Sequence, residues 1–228
     1  MRPLTETIPK ALIPVNGEPF ADLQLRWLRS LGVDDVVYSV AHLGETIAEH
    51  VGDGSRFGLH VQYVFDGERN LGTAGALRTV IDAGSVTGVF GVLNGDSYLS
   101  LDLAPIEAAF AASGRPALMT VMRNRGRWGD SNAIFRGGGV LYDKSRPERL
   151  RPRMEWIDYG YIVLRSDVLE ERVRPGEVAD LADVMRDLSV AGQLAGYEVD
   201  ERFYEIGTPQ GLADLERHLM AARPSGHG

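Results

Sequence analysis

Apolar positions recur along this chain in two rhythms. From Pro19 to Leu31 they return every three or four residues. Phe20, Leu23, Trp27, Leu28 and Leu31 then share one face and Gly32 can close the end, which predicts a helix. Asp35 to Val40 and Leu59 to Phe65 read as strands, with a short helix from about Glu45 to Val51 between them. A helix from Thr73 to Ala83 follows, then a compact apolar run, Val89-Phe90-Gly91-Val92-Leu93, that stops at Asn94-Gly95-Asp96. A run of that length with turn residues behind it suits a buried parallel strand. Leu103 to Ser113 predicts a further helix and Ala117 to Arg123 a further strand. The βαβαβ order, with long crossovers, predicts an α/β chain with a doubly wound, mostly parallel mixed sheet.

The second half changes character. Asn132 to Arg136 and Val140 to Lys144, joined by Gly137-Gly138-Gly139, predict a hairpin. Arg146 to Arg153 is a basic, Pro-rich loop, and Glu155 to Leu164 a strand with polar groups at its start. Leu181, Val184, Met185 and Leu188 mark a helix, and a strand is expected around Tyr197 to Val199. Thr208-Pro209 is a good helix start, and the last helix should bury Leu212, Leu215 and Leu219 before a frayed tail from Arg223. No internal repeat or linker divides residues 1–228, so a single domain is expected.

Three places carry candidate chemistry. Asp96 lies just past the carboxyl end of the central strand, the edge where open α/β sheets bind ligands. A carboxylate there can hold a hard cation such as Mg²⁺, or simply cap the next turn. Lys10 stands between two prolines in an otherwise aperiodic start, residues 1–17; it is either directed at a ligand or solvated. In Asn70-Leu71-Gly72-Thr73-Ala74-Gly75, Gly72 permits a close backbone approach and Thr73 can cap the helix. A helix start with free N–H groups suits an anion or the edge of a base. The Gly52 to Gly58 stretch has the wrong spacing for a dinucleotide loop and precedes a strand, so it reads as a connection.

Charge and composition narrow the partners. With 24 Lys and Arg against 32 Asp and Glu, the net charge of −8 argues against a nucleic-acid groove. A small phosphorylated ligand, which needs only a few local cations, remains open. The absence of cysteine excludes disulfides, Cys-ligated zinc and thiol nucleophiles. The five histidines are scattered without metal-ligand spacing. No apolar stretch reaches the roughly 18 residues of a membrane span, and the start has no apolar signal region. The expectation is a soluble cytoplasmic protein without membrane or nucleic-acid partners, with room for a homo-oligomer.

Taken in order, Arg2-Pro3-Leu4-Thr5 through Pro9-Lys10, Leu71-Gly72-Thr73-Ala74-Gly75, Asn94-Gly95-Asp96, Tyr142-Asp143-Lys144 and Tyr204-Glu205-Ile206-Gly207-Thr208-Pro209 resemble the sugar-1-phosphate nucleotidyltransferases. Each motif is short; their order along nearly the whole chain carries the resemblance, which is nearest to the heptose- or mannose-1-phosphate guanylyltransferase branch. It implies a Rossmann-like fold, akin to that of GT-A glycosyltransferases. It also implies transfer of a nucleotidyl group from a nucleoside triphosphate to a sugar 1-phosphate, with Mg²⁺ as cofactor. Lys10 would contact the nucleotide phosphates, Leu71 and Gly75 would border the base, and Gly72, Asn94 and Gly95 would belong to the nucleotide site. Asp96 would hold Mg²⁺, with Glu205 where the family usually has Asp as second ligand. Lys144 would meet the sugar phosphate, and Asp158 and Gly160 the sugar hydroxyls.

The family's Gly-Gly-x-Gly-Thr-Arg loop, with the strand before it, is not in the sequence. The expectation is an N-terminally incomplete domain missing the first strand, with Met1 an internal methionine of a longer natural protein. Two competing readings stand beside the transferase. A metal-dependent glycosyltransferase usually presents Asp-x-Asp after the central strand, whereas this chain has Asp96-Ser97-Tyr98. A non-catalytic homologue that binds nucleotide or sugar phosphate in a regulatory role is the other.

Overall fold

The computed structural model describes residues 8–41, 43–67 and 69–222. The Arg2 to Thr5 motif, His42 and the 223–228 tail lie outside the described residues. In chain order come β1 (Pro14–Val15), β2 (Glu18–Pro19), α1 (Phe20–Ser30), β3 (Asp35–Val40), α2 (Gly44–Val51), β4 (His60–Phe65) and α3 (Gly72–Asp82). Then follow β5 (Val89–Leu93), β6 (Ser97–Tyr98), α4 (Leu103–Ser113), β7 (Ala117–Arg123), β8 (Ala133–Arg136) and β9 (Gly139–Tyr142). The last part holds β10 (Trp156–Arg165), α5 (Ser166–Arg172), α6 (Leu181–Val190), β11 (Leu194–Glu198), β12 (Tyr204–Glu205) and α7 (Pro209–Ala222).

A six-stranded mixed sheet in the order β5-β10-β7-β11-β9-β8 forms the centre. β5, β7, β8 and β11 run one way; β9 and β10 run against them. β3 and β4 form a separate parallel pair. Among the described residues β5 pairs only with β10, and β3 only with β4.

Alternation along the strands sends side chains to two faces. Met119 and Val121 of β7, with Ile162 and Leu164 of β10, join one cluster with Ala74, Leu169, Val184 and Met185. That face is covered by α3, α5 and α6. Leu118 and Met122, with Tyr161 and Val163, join the opposite cluster with Leu103 and Ile106 of α4 and Trp27 of α1. Helices on both faces of one sheet are the doubly wound α/β arrangement expected. Each buried Leu, Ile or Met here contributes roughly 1.5–3 kcal/mol through removal of apolar surface from water. Two smaller clusters complete the core. One joins α1 and α2 to β4, and the other joins Ile13, Val15 and Phe20 to Ile206 and Leu215.

Several expectations need correction. Lys10 is not in an aperiodic loop but opens a 3₁₀ turn, Lys10–Leu12. Leu71, not Thr73, is the N-cap of α3, and Thr73 sits inside the helix. Of the three leucines assigned to the core face of α7, only Leu215 is fully buried; Leu212 and Leu219 pack against its cluster partly exposed. α5 and the two-residue pairs β1–β2 and β6–β12 have no counterpart in the sequence reading. Among the described residues no helix is long and apolar enough to cross a membrane.

Candidate active site

The turn after β5 is held from two sides. Gln24 of α1, only 3% exposed, donates from Nε2 to Asn94 O at 3.2 Å and to Ser97 O at 2.9 Å. On the other side β6 pairs with β12, setting Glu205 opposite Ser97, and the Ile206 N–H donates to Asp96 O at 3.0 Å. Asp96 and Glu205, distant in sequence, thus come to one place. Lys10 joins them: its Nζ lies 3.2 Å from Asp96 Oδ2. Its position follows from the 3₁₀ turn, which anchors buried Ala11 and Ile13 on either side of Leu12. Gly207 lies against the pair; a Cβ there would come within 3.7 Å of Asp96 Oδ2 and 3.9 Å of Lys10 Nζ.

Charge records the convergence. The Glu205 carboxyl is pushed above the ordinary glutamate range, first by desolvation and then by the Asp96 charge, with Lys10 pulling it back. Two neighbouring carboxylates beside a cation fit a hard divalent ion with oxygen ligands. Among the described residues there is no cluster of three or more His, Cys, Asp or Glu able to hold a metal. Mg²⁺ sites typically use one or two carboxylates and complete the shell with water and substrate phosphate.

A cleft of about 860 Å³ opens beside this group, with Asn94, Gly95, Lys144, Asp158, Asp180 and Glu205 in its wall. Its size is that of an ordinary small-molecule site. Lys144 follows β9, and its Nζ donates to Asp180 Oδ2 at 3.3 Å. Asp158 of β10 keeps some surface on the cleft, but its carboxyl is set deep among protein atoms. Burial pushes that carboxyl up to about 6; the Gly160 N–H, which donates to Oδ1 at 3.0 Å, pulls it down, the Glu205 charge raises it and Lys144 lowers it. Gly160 has φ +98 in a register shift of the β10–β7 ladder. A bulge of this kind re-aims a strand, and the left-handed backbone there suits glycine.

The segment from Leu71 to Gly75 differs from expectation. Three of its helix-start N–H groups are engaged: Ala74 and Gly75 donate to Ala179 O at 2.9 and 3.3 Å, and Gly72 donates to Asn70 Oδ1 at 2.9 Å. The close approach that the glycines permit is to the protein's own backbone. A Cβ on Gly72 would lie 2.5 Å from Ala179 O, and one on Gly75 2.3 Å from Glu177 O. Gly72, Thr73 and Ala76 line the cleft, whereas Leu71 and Gly75 are not in its wall. The Thr73 hydroxyl, expected to cap α3, instead donates to Asp180 Oδ1 at 3.0 Å.

A family model described as nucleotidyl transferase matches residues 1–130. The chain belongs to the nucleotidyl transferase family. This nucleotidyl transferase is 37% identical, over 45% of its length, to a UTP–glucose-1-phosphate uridylyltransferase of Synechocystis, of which the match covers only 29%. It is 29% identical to the D-glycero-alpha-D-manno-heptose 1-phosphate guanylyltransferase of Campylobacter jejuni, over 92% of the chain and 90% of the relative. Its fold matches the crystal structure of HddC from Yersinia pseudotuberculosis complexed with GMP-PN. The TM-score is 0.72 at 18% identity, covering 93% of this chain and 90% of that one.

Two residues of the site escaped the sequence reading. Gln24 lies on the helix face of Phe20, Trp27, Leu28 and Leu31. A polar residue inside an apolar stripe is a readable signal for a buried hydrogen-bonding role. Asp180 stands one residue before the apolar face of α6, where an N-cap belongs, and its side chain does accept from the Ala182 N–H at 2.9 Å. Nothing in its spacing points to Lys144.

Proposed function

We propose that this protein joins a sugar 1-phosphate to a nucleoside triphosphate, giving a nucleotide sugar and pyrophosphate. The observation that supports the reading best is the meeting of Lys10, Asp96 and Glu205 beside a cleft whose wall also carries Lys144. Two cations at separate places suit a reaction between two polyanions. Lys10 neutralises phosphates of the nucleotide and Lys144 the phosphate of the sugar. Asn94, Gly95 and Gly72 serve the nucleotide, and Asp158 and Gly160 the sugar. Likeness to a heptose 1-phosphate guanylyltransferase and to a fold solved with GMP-PN supports GTP with heptose or mannose 1-phosphate.

A sugar-phosphate oxygen attacks the α-phosphorus, the bond from that phosphorus to the bridging oxygen breaks, and pyrophosphate leaves. The second pKa of the nucleophile is about 6, so it is mostly ionised at neutral pH and needs no general base. The residues therefore work by positioning and charge neutralisation. Asp96 and Glu205 would hold Mg²⁺, which would supply positive charge to offset that on the α-phosphoryl group. Glu205 is one methylene longer than Asp, and its β12 anchor opposite Ser97 sets how far it reaches.

The test is a pyrophosphate-release screen on the natural protein, crossing four nucleoside triphosphates with several sugar 1-phosphates. The expected result is Mg²⁺-dependent release only when both substrates are present, fastest with GTP. Tight binding of either substrate without release under any pairing would refute the transferase and favour a regulatory homologue.

A further inference from the structure

The segment from Glu177 to Ala182 lies in the cleft wall between the start of α3 and Lys144. On one side it covers the start of α3, where Ala179 accepts from Ala74 and Gly75 and donates to Leu71 O at 2.9 Å. On the other side it carries Asp180. Oδ1 of Asp180 accepts from the Ala182 N–H at 2.9 Å and the Thr73 hydroxyl at 3.0 Å, while Oδ2 accepts from Lys144 Nζ at 3.3 Å. Thr73 Oγ1 accepts in return from the Leu181 N–H at 2.8 Å. One carboxylate thus ties together the start of α3, the start of α6 and Lys144.

From this geometry we infer that Asp180 is a positioning residue for Lys144, fixing its ammonium where the sugar phosphate arrives. The inference rests on the functional reading above. Lys144 is an exposed side chain on a long flexible stem, and an unpartnered lysine would spread over many rotamers. Asp180 is a fixed partner because its other oxygen already serves two donors. The N–H of Ala182 and the Thr73 hydroxyl also help hold this carboxyl below the ordinary aspartate range, so it stays charged. Repulsion between Asp180 and an incoming phosphate acts in the opposite direction. The sign of the measured change therefore separates a positioning residue from a competitor.

Asp180→Asn is the discriminating variant, since Asn keeps one oxygen acceptor for Ala182 and Thr73 and sets an uncharged amide NH₂, which cannot accept, against Lys144. Calorimetry with mannose 1-phosphate, and with inorganic phosphate as a sugar-free probe, reads the effect on the natural protein. Exposed ion pairs are weak, so the expected loss of mannose 1-phosphate affinity is about two- to fivefold, with GTP affinity unchanged. The loss should vanish in a Lys144→Met background. Thr73→Val, which frees Asp180 without touching its charge, should weaken the same binding. Unchanged or tighter sugar-phosphate binding by Asp180→Asn overturns the positioning role, as does a loss that persists with Lys144→Met. If the wild-type protein binds neither probe, the transferase reading itself fails and the assignment goes with it.

Discussion

Asp158→Asn isolates the cost of keeping a carboxyl buried in the cleft wall. The Asp158 carboxyl rises from an ordinary 3.8 to about 6, chiefly through burial. Below pH 3.8 both folded and unfolded chains hold the proton. As pH rises from there to 6 the unfolded chain loses it first, so ionisation favours unfolding and stability falls across this window. Above 6 the loss is complete and levels off. At roughly 1.36 kcal/mol per unit, the full penalty is about 3 kcal/mol. Asn cannot ionise, yet it keeps an oxygen for the Gly160 N–H that now donates to Asp158 at 3.0 Å. Urea unfolding followed by tryptophan fluorescence from about pH 4 to 8 should show the variant gaining on the wild type as pH rises, then a constant advantage. Its amide hydrogens need acceptors, which trims the advantage by about 1 kcal/mol or more. Lys144→Met in the wild-type background should extend the wild type's sloping window to higher pH, because Lys144 lowers the Asp158 pKa. Parallel pH profiles for the wild type and the Asp158→Asn variant would refute a buried, titrating carboxyl at this site.

Three other substitutions probe the acidic end. Asp96→Asn should cut turnover by about 10²–10³ while the thermal midpoint stays within a few degrees; unchanged turnover removes Asp96 from the site. Gln24→Leu strips the donor from Asn94 O and Ser97 O, and should cost about 1–3 kcal/mol in urea unfolding and raise the Mg²⁺ needed for half-maximal turnover. A normal Mg²⁺ requirement would confine Gln24 to stability. Gly211→Ala places a Cβ 2.0 Å from Glu205 O, so β12 must move. Both stability and turnover should fall, and a fully active variant would show that Glu205 need not hold its place.

The long elements were legible because burial imposed a period on them. α1 and α6 show their core faces in spacing, and β7 and β10 show theirs in runs of apolar residues. α5 was not legible: its seven residues follow β10 with no break, and two turns are too few to display a face. β6 and β12 are two residues each and exist only because they pair with one another. Pattern alone placed Asp96 at a strand end. Its meeting with Glu205 came from resemblance, since nothing local to residues 204–209 announces a partner at 96. Gly72 was read as permitting a close approach, but the approaching atom is the carbonyl of 179, and at Gly75, expected to border the base, it is the carbonyl of 177. Sequence shows that room is needed, not what fills it. Gln24 stood in plain view as the polar member of an apolar stripe.

The most direct measurement is a crystal of the natural protein grown with Mn²⁺, a non-hydrolysable GTP analogue and mannose 1-phosphate, with anomalous data collected at the manganese edge. The expected result is an anomalous peak within coordination distance of Asp96 and Glu205 and against the nucleotide phosphates, lost in Asp96→Asn. A strong manganese peak elsewhere in the cleft, with both carboxylates uncoordinated, would contradict it.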